Sequence, residues 1–294
     1  MNDITSDEIY MAIKGSASRK SPGPDGIPKE FYLRAFDIIH RELNLILNEA
    51  LRENFPDEFV DGIIVLVKKK GADKTVHGYR PISLLNYDYR LLSRILKARL
   101  ANTLRLHHIT SDFQKCANDD HNIFEATLSL KDRIAQMIAC KQKGKLISFD
   151  LDHAFDRVDQ RFLFQNMYSL GINGRLVSLL SRISNNASSR LLVNGHLSDA
   201  FPIRRSVRQG DPLSMLLFVL YLHLLVRELE QVCEDELIIV YADDISVITT
   251  SARKIESMRN IFSRFEHVSG AKLNLDKTCS IDIGSIIGNP MNIS

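Results

Sequence analysis

The tetrapeptide Tyr241-Ala242-Asp243-Asp244 lies between two apolar runs, Leu237 to Val240 and Ile245 to Ile248. That pattern predicts a β-hairpin with both carboxylates at its tip. Asp favours turns on conformational grounds alone, so the pair by itself is ordinary turn chemistry. These flanks are too apolar for a solvated surface hairpin, however, and adjacent acids buried there need a cation. A second run, Leu146-Ile147-Ser148-Phe149, predicts a strand that delivers Asp150, with Asp152, Asp156 and Asp159 close behind. Two strands ending in carboxylates predict a metal site. Mg²⁺ takes hard oxygen ligands and keeps one or two protein carboxylates beside waters and phosphates. Two such ions about 3.5–4 Å apart stabilise both the attacking and leaving oxygens of an in-line phosphoryl displacement.

Other segments stand in a telling order: Ser21-Pro-Gly-Pro-Asp-Gly-Ile27, then Gly78-Tyr-Arg-Pro-Ile-Ser-Leu-Leu85 with Asp88-Tyr-Arg-Leu-Leu-Ser-Arg-Ile95. Phe149-Asp-Leu-Asp-His-Ala-Phe-Asp156, Arg208-Gln-Gly-Asp-Pro-Leu-Ser214, Tyr241-Ala-Asp-Asp244 and Ser269-Gly-Ala-Lys-Leu-Asn-Leu-Asp-Lys277 follow. Each is weak alone. Together they cover nearly all of the chain, which resembles the reverse transcriptase domain of non-LTR (LINE-type) retrotransposons. The segment around Arg80 favours LINE and group II intron enzymes over retroviral ones.

The resemblance implies an α+β right-hand polymerase fold of fingers and palm with an antiparallel palm sheet. Residues 1–140 would form fingers, to which 171–208 return. Residues 141–170 and 209–283 would form palm, 284–294 a tail, and too few residues follow Lys277 for the family's thumb. The implied activity is RNA-directed DNA synthesis, with RNA template, DNA primer and deoxynucleoside triphosphates as partners. An element-encoded RNA-binding protein is a further candidate partner. Two Mg²⁺ ions, with Mn²⁺ as an alternative, would be held by Asp150, Asp243 and Asp244, the Leu151 carbonyl assisting. Lys68 and Arg80 would meet the triphosphate, and Gln209 and Gly210 would line the nucleotide pocket. Phe155 would lie under the deoxyribose and exclude a 2′-hydroxyl, and Lys277 would be the general acid for departing pyrophosphate. Two departures fall beside the pocket: Met215 where proline is usual, and Ser206 where glycine is frequent. A decayed, non-catalytic RNA-binding module and an intron maturase are the alternatives.

Composition bounds the rest. Hydrophobic residues at 45% and charged residues at 25% are ordinary globular values. A net charge of +2 leaves any nucleic-acid footprint to local patches such as Lys68-Lys69-Lys70. Four widely spaced cysteines and nine histidines form no zinc pattern or disulfide framework, which predicts a reducing compartment. No leader is visible at the start, and Met215 to Val226 is too short to span a membrane. An intracellular protein of nucleus and cytoplasm, without membrane contact, is the expectation.

Locally, Thr5 with Glu8 predicts a capping box opening a short helix through Ile9 and Ile13. An amphipathic helix is predicted over 29–51, with Leu43, Ile46, Leu47 and Ala50 on one face. Ile63 to Val67 reads as a strand. Leu91, Leu92, Ile95, Leu96 and Leu100 mark a helix whose other face carries Arg90, Arg94, Lys97 and Arg99, a face that is ordinarily solvated. Asp211 and Pro212 suit a helix start, and Gly270 closes a helix through Ile255, Met258, Ile261, Phe262 and Phe265.

Overall fold

Thr5 and Glu8 cap one another: the Glu8 N–H donates to Thr5 Oγ1 (3.2 Å) and the Thr5 N–H to Glu8 Oε2 (3.0 Å). They open the first helix of a computed structural model that describes residues 1–69, 71, 75, 78–109, 111, 114–116 and 123–284. The helices are α1 (Ser6–Lys14), α2 (Lys29–Leu51), α3 (Tyr87–Leu106), α4 (Ile123–Ala139), α5 (Gln160–Ser169), α6 (Gly174–Asn186), α7 (Ser214–Val232) and α8 (Ala252–Ser269). The strands are β1 (Gly62–Lys68), β2 (Tyr79–Leu85), β3 (Gly144–Phe149), β4 (Ser188–Val193), β5 (His196–Leu197), β6 (Phe201–Pro202), β7 (Leu237–Tyr241), β8 (Asp244–Thr249) and β9 (Cys279–Ile283). The chain separates into two units, 1–102 with 167–214, and 103–166 with the residues from 215 onward.

In the first unit α1 buries Ile9 and Ile13, and α2 buries Leu43, Leu47 and Ala50. Ile46 is half exposed, contrary to the sequence reading. Positions 43, 47 and 50 stack along one helix face, and 46 falls at the margin of that stripe. The sheet runs β2-β1-β4-β5 with β6 also on β4; β1 is antiparallel to β2 and parallel to β4. Gly23, in the Ser21–Gly26 turn, lies against the backbone of Asn86, where an added Cβ would come within 2.3 Å of its nitrogen. Glycine is required there by contact.

The second unit holds an antiparallel sheet of order β7-β8-β3-β9. Alternating side chains send Leu146, Ile248 and Ile283 to one face, where they pack with Met137 and Ile134 of α4. Phe149 points to the other face and meets Phe262 of α8 with ring centroids 4.6 Å apart. α4 packs on this sheet and lies in the second unit. α7 buries Leu216, Phe218, Leu220, Tyr221, Leu222 and Leu225 as a core helix. Among the described residues, no helix is long and apolar enough to cross a membrane.

Candidate active site

The predicted hairpin forms with Tyr241 and Asp244 as its last pair, so Ala242 and Asp243 make the turn. Ala242 is buried with φ 53°, a left-handed backbone that costs a non-glycine residue energy and is found at sites where geometry matters. β3 pairs with β8 up to Phe149 and Ile245, and one further step of that register sets Asp150 opposite Asp244. Residues so placed have Cβ atoms about 4.5–5.5 Å apart. Burial first, then the charges of Asp243 and Asp150, push the Asp244 carboxyl above its ordinary range.

Asp150 is fixed by its backbone while its carboxylate is left open. Its N–H donates to Thr278 Oγ1 (3.4 Å), its carbonyl accepts from the Asn274 N–H (2.8 Å), and the next residue, buried Leu151, bridges to Leu273. Among the described residues Oδ2 is buried without a hydrogen bond, and Lys277 Nζ stands 3.6 Å from it on a largely exposed side chain. Among the described residues, no three Asp, Glu, His or Cys side chains converge closely enough to hold an ion unaided.

The other acids of this stretch are spent on structure. Asp152 pairs with Arg157 (2.7 Å), and although burial raises its carboxyl, the Arg157 hydrogen bond and nearby His153 bring it below the usual range. Asp159 caps α5 through the Phe162 N–H (3.0 Å). Phe155 is half-buried and stacks on Phe218, centroids 4.5 Å apart and planes 13° from parallel. One ring face is therefore core.

Lys68, Arg80, Gln209 and Gly210 lie in the first unit. Lys68 pairs with Tyr79, and Val67 with Arg80. Paired residues share a face and neighbours alternate, so Lys68 and Arg80 project from opposite faces of the ribbon, against their joint assignment to one ligand. Lys69, whose N–H donates to the Gly78 carbonyl (2.8 Å), continues the pairing on the face of Arg80. Lys70 lies outside the described residues. Gln209 offers its carbonyl to the Ser83 N–H (2.7 Å), and Gly210 has φ 114° with an added Cβ 2.5 Å from the Ser83 carbonyl oxygen. Only glycine fits that approach. Beside it, the buried Asp211 carboxylate accepts from the Tyr89 and Ser93 hydroxyls and the Leu213 N–H (3.0 Å). Arg208, also buried, lies 3.7 Å from Asp211, 4.8 Å over the Tyr89 ring, and donates to the Val60 carbonyl (2.5 Å).

Residues 67–285 match the profile of the family described as reverse transcriptase (RNA-dependent DNA polymerase). The chain belongs to that family. It is 26% identical over 293 residues to the transposon TX1 uncharacterized 149 kDa protein of Xenopus laevis, covering 96% of this chain and 22% of that one. It is 26% identical to the Pol polyprotein of the type-1 retrotransposable element R2 of Popillia japonica (96% and 40% covered). It is 24% identical to the RNA-directed DNA polymerase from mobile element jockey of Drosophila melanogaster (100% and 33%). The chain thus spans less than half the length of these relatives. Among solved structures, apo telomerase of Candida tropicalis truncated from its C-terminal domain aligns with TM-score 0.58 at 18% identity, covering 86% of this chain and 57% of that one. That likeness shows the fold.

The non-LTR retrotransposon reverse transcriptase likeness read from the motifs, and the polymerase-like α+β fold with its antiparallel sheet, are borne out. Ser206 has φ 96°, a backbone that glycine adopts at no steric cost. Two features escaped sequence reading. The Asp211 cluster joins residues 118 to 122 positions apart, and Gln114, in a polar segment with no periodic signal, contacts Ala242 128 positions away. A lone Gln offers no local clue to such a contact.

Proposed function

We propose that this reverse transcriptase domain performs template-directed DNA synthesis on RNA, and also on DNA. The primer 3′-hydroxyl attacks the α-phosphate of a deoxynucleoside triphosphate and pyrophosphate departs. The observation that carries the reading is the strand-end carboxylate of half-buried Asp150, whose Oδ2 is enclosed without a hydrogen bond among the described residues, one register step from Asp244, whose carboxyl is pushed up by burial first and then by Asp243 and Asp150. Like charges this close favour the arrival of positive charge beyond that of Lys277. Asp150, Asp243 and Asp244 would hold Mg²⁺, which when bound lowers the pKa of the attacking hydroxyl and offsets charge on the triphosphate. Asp243 is aimed by the strained turn at Ala242, and Asp150 by its backbone ties to Asn274 and Thr278. Lys277, largely exposed and 3.6 Å from Asp150, would supply the ammonium that protonates pyrophosphate. In the same unit, the open face of Phe155 would exclude a 2′-hydroxyl.

The test is primer extension on a DNA-primed homopolymer RNA with the matching deoxynucleotide and Mg²⁺. Extension that stops on adding chelator is expected. Tight RNA binding with no extension under any divalent ion would instead make the chain a non-catalytic RNA-binding module.

A further inference from the structure

We propose that Gln114 is a positioning residue for the catalytic turn, its side-chain carbonyl holding Ala242 in the left-handed backbone that aims Asp243. Gln114 is 3% exposed. Its Oε1 accepts two N–H groups, from Ala242 (3.3 Å) and from Cys116 (3.1 Å). The contact is braced on both sides. Gln114 lies in a parallel bridge with Val240, the Lys115 N–H donates to the Val240 carbonyl (2.8 Å), and the Gln114 N–H donates to the Ser111 carbonyl (3.1 Å). Ser111 in turn donates its hydroxyl to Glu230 of α7. The segment therefore fixes where Oε1 sits before it meets the turn.

The other end of the same amide argues that this placement serves the site. Among the described residues, Nε2 is buried with no hydrogen-bond partner. A buried unpaired donor is destabilising, so an amide retained here costs the fold something that an apolar side chain would not. What the amide offers in return is an acceptor at a residue whose backbone is otherwise unfavourable, one position before a carboxylate. Local rules broken without a stability gain are characteristic of functional sites. The turn needs the acceptor because neither glycine nor asparagine occupies position 242, and alanine has no side-chain means of holding φ 53°.

The inference rests on the polymerase reading for its consequence, but not for its contact. Two variants separate acceptor from donor: Gln114→Leu removes both, and Gln114→Glu keeps an acceptor at the same reach and removes the donor. Amide hydrogen exchange over residues 238–246 should quicken at Ala242 by at least tenfold in Gln114→Leu and by less than threefold in Gln114→Glu. Single-nucleotide incorporation should show kcat down by at least tenfold in Gln114→Leu with KM for the nucleotide within threefold, and Gln114→Glu should restore most of kcat. Should Gln114→Leu fail to fold, Gln114→Asn, one methylene shorter, takes its place with the same expectations. Wild-type exchange at Ala242 in the acceptor-less variant overturns the contact. Quickened exchange with unchanged kcat overturns the positioning role, as does equal loss of kcat in the Leu and Glu variants. If the wild-type protein itself incorporates no nucleotide, the polymerase reading has failed, and the exchange measurement still decides the contact.

Discussion

Two groups of carboxylate charge in this reverse transcriptase domain are built on opposite plans, one buried and one partly open to solvent. Asp211, in the first unit, is enclosed by two hydroxyls, a backbone N–H and the Arg208 guanidinium, and its neighbours are satisfied in turn. Asp150 and Asp244, in the second, face one another at the end of a sheet with one oxygen orphaned and the lysine beside it mostly in solvent. A carboxylate surrounded by donors stabilises a loop. A carboxylate deprived of them attracts a cation. On the proposed function, the difference separates a structural charge from a chemical one.

The comparison breaks most decisively if the open acids can be removed at no cost to activity. Asp150→Asn or Asp243→Asn should lower incorporation by at least about a thousandfold, roughly 4 kcal/mol of transition-state stabilisation. Steady-state incorporation on primed RNA measures it, with residual activity near wild type the contrary outcome. Asp211→Ala should act in the other currency, lowering unfolding free energy by about 3–5 kcal/mol because it strands a buried guanidinium and two hydroxyls. Urea unfolding reads that loss. A shift under 1 kcal/mol would mean that the Asp211 cluster is not the brace described.

Smaller effects sharpen the contrast. Phe155 shares one ring face with Phe218, so Phe155→Val should cost some stability and, if the other face guards the sugar, raise relative ribonucleotide use by about tenfold or more, a change of about 1.4 kcal/mol. Matched ribo- and deoxynucleotide efficiencies decide, and an unchanged ratio reduces Phe155 to packing. Asp88 is an intermediate case, with one backbone donor, the Tyr89 N–H (2.6 Å), and a carboxyl pushed up to about 6 by burial and then by Asp25. Its folded form holds a proton that the unfolded form releases near pH 4, so its contribution falls as pH rises from about 4 to 6. Asp88→Asn should therefore gain on the wild type by up to about 2 kcal/mol between pH 4 and 7. Parallel stability profiles would remove Asp88 from the account.

Much of this was legible in the chain because it is local. The capping box at Thr5, the bounds of α2, the hairpin at Tyr241 and the glycine stop of α8 are each written within a few residues. Faces that depend on pairing were not. Lys68 and Arg80 read as one pair until the register put them on opposite sides, since a one-residue difference flips a strand side chain. Gln114 and the Asp211 cluster depend on contacts more than a hundred residues apart, for which no periodicity or motif stands in. Sequence located the acids; only the fold distinguished those with an oxygen left without a hydrogen bond from those enclosed by donors.

That distinction is tested most directly by measuring activity and stability on one pair of samples, wild type and Asp243→Asn, in the same preparation. Incorporation is followed on primed RNA with Mg²⁺, and thermal melting is followed in chelator. Relief of like-charge repulsion predicts a variant that incorporates no nucleotide yet melts at or above the wild-type temperature. A variant that still incorporates at a tenth of the wild-type rate, or that melts several degrees lower, would contradict the assignment of these carboxylates to chemistry.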